Sequence, residues 1–447
     1  MVLLSAVLLA QALSAAVSEP PSKWQVGRFT GVCESISQAV SSASSVYWPG
    51  SGEAYDADIF HYATSSSSQA ACSVEPGKAE DIAMILGILA ENKTPFAVKS
   101  GGHAMNPHFS STSGVHISLS RFNEVTYNAE AKTAEIGAGL IWDDVYAALE
   151  PHAVNVVAPR MSRLLLLLKF TILKGGFNNF GIVTKFLLDT HPQPEVWGGS
   201  LTIAAEFFAE VNAATAQFSQ TAVDPKAQII ASYGYAQGKL ISSIMLFYDD
   251  PEPPKGTFDA YLVIPYLAKD VKTRSFLDLV RSAPSNGTQG LRGIYHTVSV
   301  IEYTDRVLNA IINETSFWGE RLASGPAVMA YSSEPFLQTI FSHAAPNSSA
   351  YPPNRAIAPS PLSISYAWND SSADEAMHSA ARESAGQLTR VLSSEGQNVK
   401  DTALYGNYAI FGTPLERIYG SNLPRLRMLK AKYDPNGIMG LTGGWKF

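Results

Sequence analysis

The sequence has few charges for its length and no run of basic residues. Charged residues make up 16% of the 447 residues, and the net charge is −7. Because nucleic acids are bound by basic surfaces, this composition argues against a DNA- or RNA-binding protein. Hydrophobic residues make up 46%, which indicates a globular chain with enough residues for two domains.

Several common catalytic motifs are absent. There is no G-x-S-x-G, no H-E-x-x-H and no C-x-x-C, so nothing marks a serine nucleophile, a zinc protease or a dithiol redox centre. The nine histidines are scattered; His103 and His108 are close, but they flank a polar loop. We therefore predict no metal site.

Cysteine is also scarce, with Cys33 and Cys72 as the two copies. An even pair predicts one disulfide if the protein is in an oxidising compartment. The alternative is two separate buried thiols.

The first residues, MVLLSAVLLAQALSAAVSEPP, have the layout of a cleavable secretory signal, here assigned to residues 1–18. A buried N-terminal helix is the alternative. Five N-x-S/T sequons agree with export; they lie at Asn92, Asn286, Asn313, Asn347 and Asn369. The leucine run 164–168 is ended by Lys169 and is too short to span a bilayer. We therefore expect a secreted, extracellular protein with no membrane segment.

Residues 60–160 read as an α+β region of short elements. The apolar spacing of AEDIAMILGILAEN, from Ala79, predicts a helix; strands follow at PFAVKS, VHISL, EVTYNAE, KTAEIGA and AVNVV, with a helix at WDDVYAALE. From about Gln193 the pattern changes. AQIIASYGYAQGKLISSIMLFY and TFDAYLVIPYL predict antiparallel strands, and helical patterns lie at 204–220 and 374–392.

The stretch KSGGHAMNP, residues 99–107, ends a strand with two glycines and a histidine. Gly101 and Gly102 can take positive φ, and consecutive N–H groups in such a turn can hold an anion such as a pyrophosphate. His103 would then lie beside the bound group. The alternative is a tight turn with a surface histidine.

Two further glycine-containing stretches are weaker signals. Gly137-x-Gly139 lies between a strand and a helix, but Trp142 replaces the third glycine of a dinucleotide-binding fingerprint, so no Rossmann site is predicted. In KGGFNNFGIVTKF, residues 174–186, close approach of the backbone to a ligand and a purely structural turn are equally compatible with the pattern.

Near the C-terminus, Tyr405, Asn407 and Tyr408 lie within four residues. In a strand, Tyr405 and Asn407 would share one face and Tyr408 the other. A tyrosine can act as a general base where its site lowers its pKa. Aromatic core packing is the alternative.

The order of six stretches resembles that in secreted fungal FAD-linked oxidoreductases of the berberine bridge enzyme type. These stretches are PFAVKSGGHAMNP, HISLSRFNEV, IGAGLIWDDVYAALEPH, KGGFNNFGIVTKF, YGNYA and NLPRLRMLKAKYDPNGIMG. That group belongs to the vanillyl-alcohol oxidase and p-cresol methylhydroxylase superfamily. The resemblance implies a two-domain α+β fold, in which an FAD-binding domain is joined to an antiparallel-sheet substrate domain flanked by helices. The implied segments are 19–192 for FAD, 193–400 for substrate, and 401–447 returning to the FAD domain.

The resemblance also implies roles for single residues. Ser100, Gly101 and Gly102 would cradle the FAD pyrophosphate, and His103 would be bonded to the flavin 8α carbon. Gly181, Ile182 and Val183 would contact the adenosine half, and Asn407 would lie near the isoalloxazine. Tyr405 or Tyr408 would be the catalytic base. Cys33 and Cys72 fall where family members have an N-terminal disulfide. The implied partners are molecular oxygen and a small-molecule alcohol, sugar or amine. Oligomeric state is left unassigned.

One stretch departs from the family pattern. Members usually have several dozen residues between the NVV strand and KGGFNNFGIV, including a glycine-rich loop, whereas here MSRLLLLLKFTIL stands there. The FAD domain is therefore expected to be shortened near 158–173. A mis-predicted gene, a shortened and inactive or flavin-free glycoprotein, and a working oxidase that closes the gap remain three alternatives.

Overall fold

The computed structural model describes residues 27–156, 174–283, 287–322, 327–342, 348–351 and 357–447. The expected signal peptide (1–18), the expected shortening (158–173) and the sequons at Asn286 and Asn347 lie outside these residues. The chain divides into two compact units. The first comprises Met1–Pro192, Pro284–Leu291 and Arg425–Phe447, and the second comprises Gln193–Ala283 and Arg292–Pro424. The boundaries expected from the sequence are residue 193 for the start of the substrate domain and residue 401 for the return to the FAD domain.

The helices and strands of the described residues follow one another as mixed short elements. The helices are α1 Thr30–Ala39, α2 Glu53–Ile59, α3 Ala79–Glu91, α4 Trp142–Leu149, α5 Phe208–Thr221, α6 Asp259–Leu262, α7 Phe276–Ser282, α8 Asp305–Arg321, α9 Asp374–Ser394, α10 Leu415–Tyr419 and α11 Leu423–Tyr433. The strands are β1 Ser45–Tyr47, β2 Cys72–Glu75, β3 Phe96–Lys99, β4 Val115–Ser118, β5 Val125–Asn128, β6 Thr133–Gly137, β7 Val154–Val156, β8 Lys185–Pro192, β9 Val196–Ala204, β10 Ala227–Ala236, β11 Lys239–Tyr248, β12 Ala268–Arg274, β13 Arg292–Val300, β14 Val328–Ser333 and β15 Ser360–Trp368.

The first unit has two four-stranded sheets. One has the order β1-β2-β4-β3, with β4 parallel to both β2 and β3. The other has the antiparallel order β5-β6-β8-β7. β3 is the last strand of its sheet, and its Phe96 forms a further isolated bridge with Thr442.

A disulfide joins α1 to β2 in the hydrophobic core beside the β1-β2-β4-β3 sheet. Cys33 and Cys72 are bonded and fully buried, as the even cysteine count predicted. Around them pack the apolar side chains of α3, whose Ile82, Ile85 and Leu89 are buried. The disulfide closes a loop across 39 residues, which restricts the unfolded chain and stabilises this core.

The second unit is built on a seven-stranded antiparallel sheet in the order β12-β9-β11-β10-β14-β15-β13. The hairpin β10–β11 turns at Gln237 and Gly238, both with positive φ, as a two-residue hairpin loop requires. Helices α5, α8 and α9 contribute buried apolar residues to one core with this sheet. This arrangement confirms the predicted α+β class and the antiparallel second domain.

The predicted strand TFDAYLVIPYL is wrong. Residues Asp259–Leu262 form the short helix α6, and the strand begins only at Ala268. Phe258, Tyr261 and Ile264 are all buried, and this three-residue spacing places them on one helical face rather than on alternate faces of a strand.

No helix among the described residues is both long and apolar enough to cross a membrane.

Candidate functional site

The turn Ser100–His103 directly follows strand β3 in the first unit. Gly102 has a φ of +69°, a conformation that side-chain-bearing residues rarely adopt. A Cβ there would lie 3.0 Å from Lys99 Cε and 3.2 Å from the Phe60 carbonyl oxygen. The Gly102 carbonyl accepts a hydrogen bond from the Tyr62 N–H at 3.0 Å. Glycine is therefore needed here, and the turn is fixed against the segment that follows α2.

The side chain of Lys99 is directed into the protein. Its Nζ donates to the carbonyl oxygens of Ala57 and Asp58, both at 2.8 Å, near the C-terminal end of α2 where a positive charge is favoured. Burial lowers the pKa of Lys99. An anion at the turn would therefore be held by backbone N–H groups rather than by this ammonium.

Ser100 joins the turn to the glycine pair of Gly137-x-Gly139. Its hydroxyl donates to the Ala138 carbonyl at 2.5 Å. A Cβ at Gly139 would lie 1.9 Å from the Leu119 carbonyl oxygen, so glycine permits close packing of two backbone segments. The Gly137-x-Gly139 stretch thus supports the turn. Because the Ser100 hydroxyl is engaged, Ser100 can offer its backbone N–H to a ligand.

His103 lies at the surface of the turn with its ring against that of Tyr62. The ring centroids are 4.3 Å apart with an interplanar angle of 35°. Although the side chain is exposed, the protein removes enough water from the ring to lower its pKa. This shift favours the neutral imidazole, in which one ring nitrogen has a free electron pair.

Exposed apolar side chains lie close to this polar turn. Ile141 is 49% exposed and Phe60 is 44% exposed; Ile141 Cγ2 lies 3.0 Å from the position of a Cβ on Gly101. Trp142 is 41% exposed and stacks on Tyr146. These side chains offer apolar surface beside the backbone N–H groups of the turn, and FAD, with its dimethylbenzene ring and pyrophosphate, has groups that match both.

The segment around Gly181 is held by residues 443–447. The buried Asn179 side chain donates to Gly176 O at 2.9 Å and to Trp445 O at 2.6 Å. Asn178 Nδ2 donates to Gly443 O at 3.0 Å. Ile182 packs against the core that contains the disulfide. The two asparagines thus fix the turn from which Gly181, Ile182 and Val183 follow, which is the structural role that the sequence left open.

A pH dependence of stability follows from Lys446 in this cluster. Its Nζ donates to Asn178 Oδ1 at 2.9 Å, and burial, together with the nearby Lys430 charge, lowers its pKa to about 7. The unfolded chain holds this proton up to a pKa of 10.5, so stability should rise as pH increases from about 7 to about 10.5. Lys446→Met should flatten that rise in a series of melting temperatures. The exposed Lys432→Met is the control, and an equal slope in both variants would contradict the assignment.

In the second unit, Tyr405–Tyr408 form a turn, so the strand geometry considered for these residues does not apply. The N–H groups of Tyr408 and Ala409 both donate to the Tyr405 carbonyl at 3.0 Å. The two tyrosine rings therefore contact each other edge to face at 5.0 Å and do not lie on opposite faces.

Tyr408 is paired with a carboxylate. Its hydroxyl donates to Glu334 Oε1 at 3.1 Å, and the Glu334 N–H donates to the hydroxyl of the buried Tyr303 at 3.3 Å. Burial raises the pKa of Glu334 to about 7. Burial and the Glu334 charge together raise the pKa of Tyr408. Tyr408 is thus a protonated hydroxyl beside an acceptor that titrates near neutrality.

Tyr405 has a different partner. Its hydroxyl accepts a hydrogen bond from Asn407 Nδ2 at 2.8 Å, it is 39% exposed, and burial of its remainder raises its pKa. Tyr295 on β13 packs on the other tyrosine, Tyr408, at 5.6 Å. Of the two candidate bases, Tyr408 has a hydrogen-bonded carboxylate that can accept its proton.

Sequence reasoning missed Glu334 and Tyr62. Glu334 directly follows β14 and lies 74 residues before its partner Tyr408. A single glutamate at the end of a strand carries no distinguishing pattern. Tyr62 lies in a serine-rich loop, where nothing indicates a contact with His103.

Two family models match the chain. The model described as FAD binding domain matches residues 70–159, which include the turn at His103. The model described as berberine and berberine like matches residues 404–439, which include Tyr405, Asn407 and Tyr408.

Similar proteins and structures agree with these matches. An uncharacterized FAD-linked oxidoreductase from Arthroderma benhamiae is 31% identical over 47% of this chain and 51% of its own length, so that match spans about half of the relative. The FAD-dependent monooxygenase drtC of Aspergillus calidoustus is 25% identical over 99% of this chain and 95% of that protein. The crystal structure of 6-hydroxy-D-nicotine oxidase from Arthrobacter nicotinovorans has a TM-score of 0.72, with 14% identity, 90% of this chain and 97% of that chain covered.

The turn at His103, the two units and these matches define an FAD-dependent oxidoreductase with an α+β flavoprotein fold. The matched segments are those of berberine bridge enzyme-like FAD flavoproteins, as the ordered motifs predicted, and they support FAD as the cofactor.

Proposed function

We propose that this protein is an oxidase that removes hydride from a carbon bearing a hydroxyl or amine group, in an alcohol, sugar or amine substrate. The chemistry that FAD supplies when bound is acceptance of that hydride and its transfer to oxygen, which gives hydrogen peroxide. The observation that carries the proposal is the Tyr408–Glu334 pair: Tyr408 lies in the segment matched by the berberine-like model, and its hydroxyl is hydrogen-bonded to Glu334, a proton acceptor whose pKa is about 7.

The first unit would hold the cofactor. The N–H groups of Ser100, Gly101 and Gly102 would bind the pyrophosphate, because Lys99 is engaged elsewhere. His103, neutral and at the surface of the turn, would be the site of covalent attachment. The backbone of Gly181, Ile182 and Val183 would hold the adenosine half.

The second unit would handle the substrate proton. The Tyr408 oxygen would accept the proton of a substrate hydroxyl or amine while the Tyr408 hydroxyl proton passes to the Glu334 carboxylate. The net result is one proton moved from substrate to Glu334, and no phenolate need exist before the reaction. Tyr405, bonded to Asn407, would flank this site and position the substrate.

The substrate class is tested with four groups of compounds, namely oligosaccharides, secondary alcohols, phenolics and alkaloid-like amines. Each is supplied to the purified protein with ¹⁸O-labelled oxygen, and hydrogen peroxide and product mass are measured together. An oxidase gives one peroxide per product and no ¹⁸O in the product. The name of the drtC relative makes a monooxygenase the second candidate; incorporation of one ¹⁸O atom would favour it.

The flavin-free alternative depends on the stretch 158–173. The drtC alignment spans 506 positions, whereas the whole chain has 447 residues, so at least 59 positions face no residue of this chain. The FAD-domain match ends at residue 159, directly before the leucine run. Both findings support a chain that is shorter than its relatives. Sequencing the transcript across codons 157–174 distinguishes a mis-predicted gene, which shows extra in-frame codons, from a shortened protein, which does not.

Export is the third part of the proposal. Asn92 at the end of α3 and Asn313 on α8 are exposed, so a glycan on either side chain would extend into solvent. The buried disulfide fits an oxidising compartment. After expression in a fungal host, glycosylated protein should be recovered from the medium and should lose mass on treatment with an N-glycosidase. Unmodified protein retained in the cells would contradict this part.

A further inference from the structure

Tyr62 contacts the turn of His103 in two ways. Its ring lies on the His103 ring with 4.3 Å between centroids, and its N–H donates to the Gly102 carbonyl. The remaining polar residues near this turn point elsewhere, with Lys99 bonded to carbonyls of α2 and Ser100 bonded to Ala138. Tyr62 is therefore the side chain that defines the ring plane of this exposed histidine.

Tyr62 is in turn fixed by residues 287–291, a short segment of the first unit. The Tyr62 hydroxyl is 2.9 Å from Thr288 Oγ1, and the Gly290 N–H donates to the Tyr62 carbonyl at 2.9 Å. Two residues further on, the Thr64 N–H donates to Leu291 O, also at 2.9 Å. Backbone and side chain of Tyr62 are thus both held.

We propose that Tyr62 is a positioning residue that sets the plane of the His103 imidazole for flavin attachment, and that Thr288 sets Tyr62. This inference rests on the proposed attachment at His103. The bond from the His103 ring nitrogen to the flavin 8α carbon would replace one C–H bond of the methyl group and the ring N–H bond; the two protons and two electrons released would reduce the flavin, and oxygen would reoxidise it with formation of hydrogen peroxide. An exposed histidine samples several ring orientations, but this bond requires the in-plane electron pair of the ring nitrogen to point at the reacting carbon. The contact with the Tyr62 ring restricts the imidazole to the tilted orientation seen here.

If Tyr62 only stabilised the fold, removing its ring should affect flavin attachment no more than removing the tyrosine ring of a second tyrosine–histidine contact in the first unit. Tyr127 on β5 and His152 have centroids 4.8 Å apart and an interplanar angle of 38°, nearly the geometry of the first pair. Tyr127→Leu is therefore a matched control, because it removes a similar ring contact away from the turn.

The test compares Tyr62→Leu, Tyr62→Phe, Thr288→Val and Tyr127→Leu with wild type, each purified as it is produced. Total flavin is read from the native absorbance, and acid-stable flavin from the precipitated pellet. We expect Tyr62→Leu to lower the acid-stable fraction about tenfold, with total flavin and melting temperature close to those of Tyr127→Leu. Tyr62→Phe should retain most of it, because the ring contact remains, and Thr288→Val should fall between the two.

The outcomes distinguish a failure of the Tyr62 role from a failure of flavin attachment at His103. An acid-stable fraction in Tyr62→Leu equal to that in Tyr127→Leu would overturn the role of Tyr62 and leave attachment intact. A wild-type protein without acid-stable flavin would overturn attachment at His103 and the role of Tyr62 with it. If Tyr62→Leu fails to fold, Tyr62→Phe and Thr288→Val decide, and a wild-type fraction in Thr288→Val would overturn the role of Thr288.

Discussion

Tyr408→Phe should lower kcat by about 10²- to 10⁴-fold, the usual contribution of a positioned general base. The phenylalanine keeps the ring contacts with Tyr405 and Tyr295 but has no oxygen to accept the substrate proton. Because flavin binding is assigned to other residues, the flavin content should not change. The measurement is anaerobic flavin reduction by the best substrate of the panel, followed by stopped-flow absorbance.

Tyr405→Phe is the control for this prediction, since its hydroxyl bonds to Asn407 and not to a carboxylate. Its effect should be much the smaller of the two. A larger loss in Tyr405→Phe than in Tyr408→Phe would assign the base to Tyr405 and contradict the relay through Glu334.

The pH profile supplies a second measure of the same relay. Glu334 must be ionised to accept a proton, and burial raises its pKa to about 7, so kcat should rise with pH and level off above about 7. Glu334→Gln cannot accept the proton, so it should lower kcat and abolish this acid limb. If kcat of Glu334→Gln rises with pH over the same range as in the wild type, a group other than Glu334 controls the profile.

His103→Ala should remove all acid-stable flavin, the second large effect expected. The neutral ring nitrogen of His103 is the proposed point of attachment, and alanine has no nucleophile. Any remaining FAD should be extractable with acid, and activity should fall. The measurement is flavin absorbance in the washed acid pellet and in the supernatant.

His108→Ala provides the comparison, because His108 is an exposed histidine five positions further along the same loop. It should keep the acid-stable flavin of the wild type. Acid-stable flavin retained in His103→Ala, or lost in His108→Ala, would show that the attachment site is wrong.

Local patterns predicted the elements that bear on the first unit. The helix expected from Ala79 spans Ala79–Glu91 and buries Ile82, Ile85 and Leu89, because a helix repeats over a few residues and its apolar face is visible in a short window. The same holds for the turn after Lys99, where adjacent glycines at the end of a strand indicated positive φ, and Gly102 has it.

The errors arose where two local patterns compete. Phe258, Tyr261 and Ile264 gave an apolar stretch that reads as a strand, yet their spacing of three fits the helix and turn that form. Tyr405, Asn407 and Tyr408 were considered on the faces of a strand, yet these residues form a turn in which the two tyrosine rings contact each other. In the first case the apolar residues were recognised and their period was misread.

The contacts that decide the chemistry join residues far apart in the sequence, so the local sequence pattern could not predict them. Glu334 and Tyr408 are 74 residues apart, and the Tyr62 hydroxyl meets Thr288 across 226 residues. The family resemblance placed Tyr408 in the site, but the carboxylate that makes it a proton relay required coordinates.

The most direct test of the central claim is peptide mass mapping of the wild-type protein after denaturation and trypsin digestion. Cleavage after Lys99 and Arg121 releases the peptide 100–121, which contains His103, His108 and His116. The expected result is a peptide whose mass is increased by the bound flavin, with fragment ions that place the added mass on His103. Recovery of the unmodified peptide alone, together with a colourless acid pellet, would contradict covalent attachment of FAD through His103.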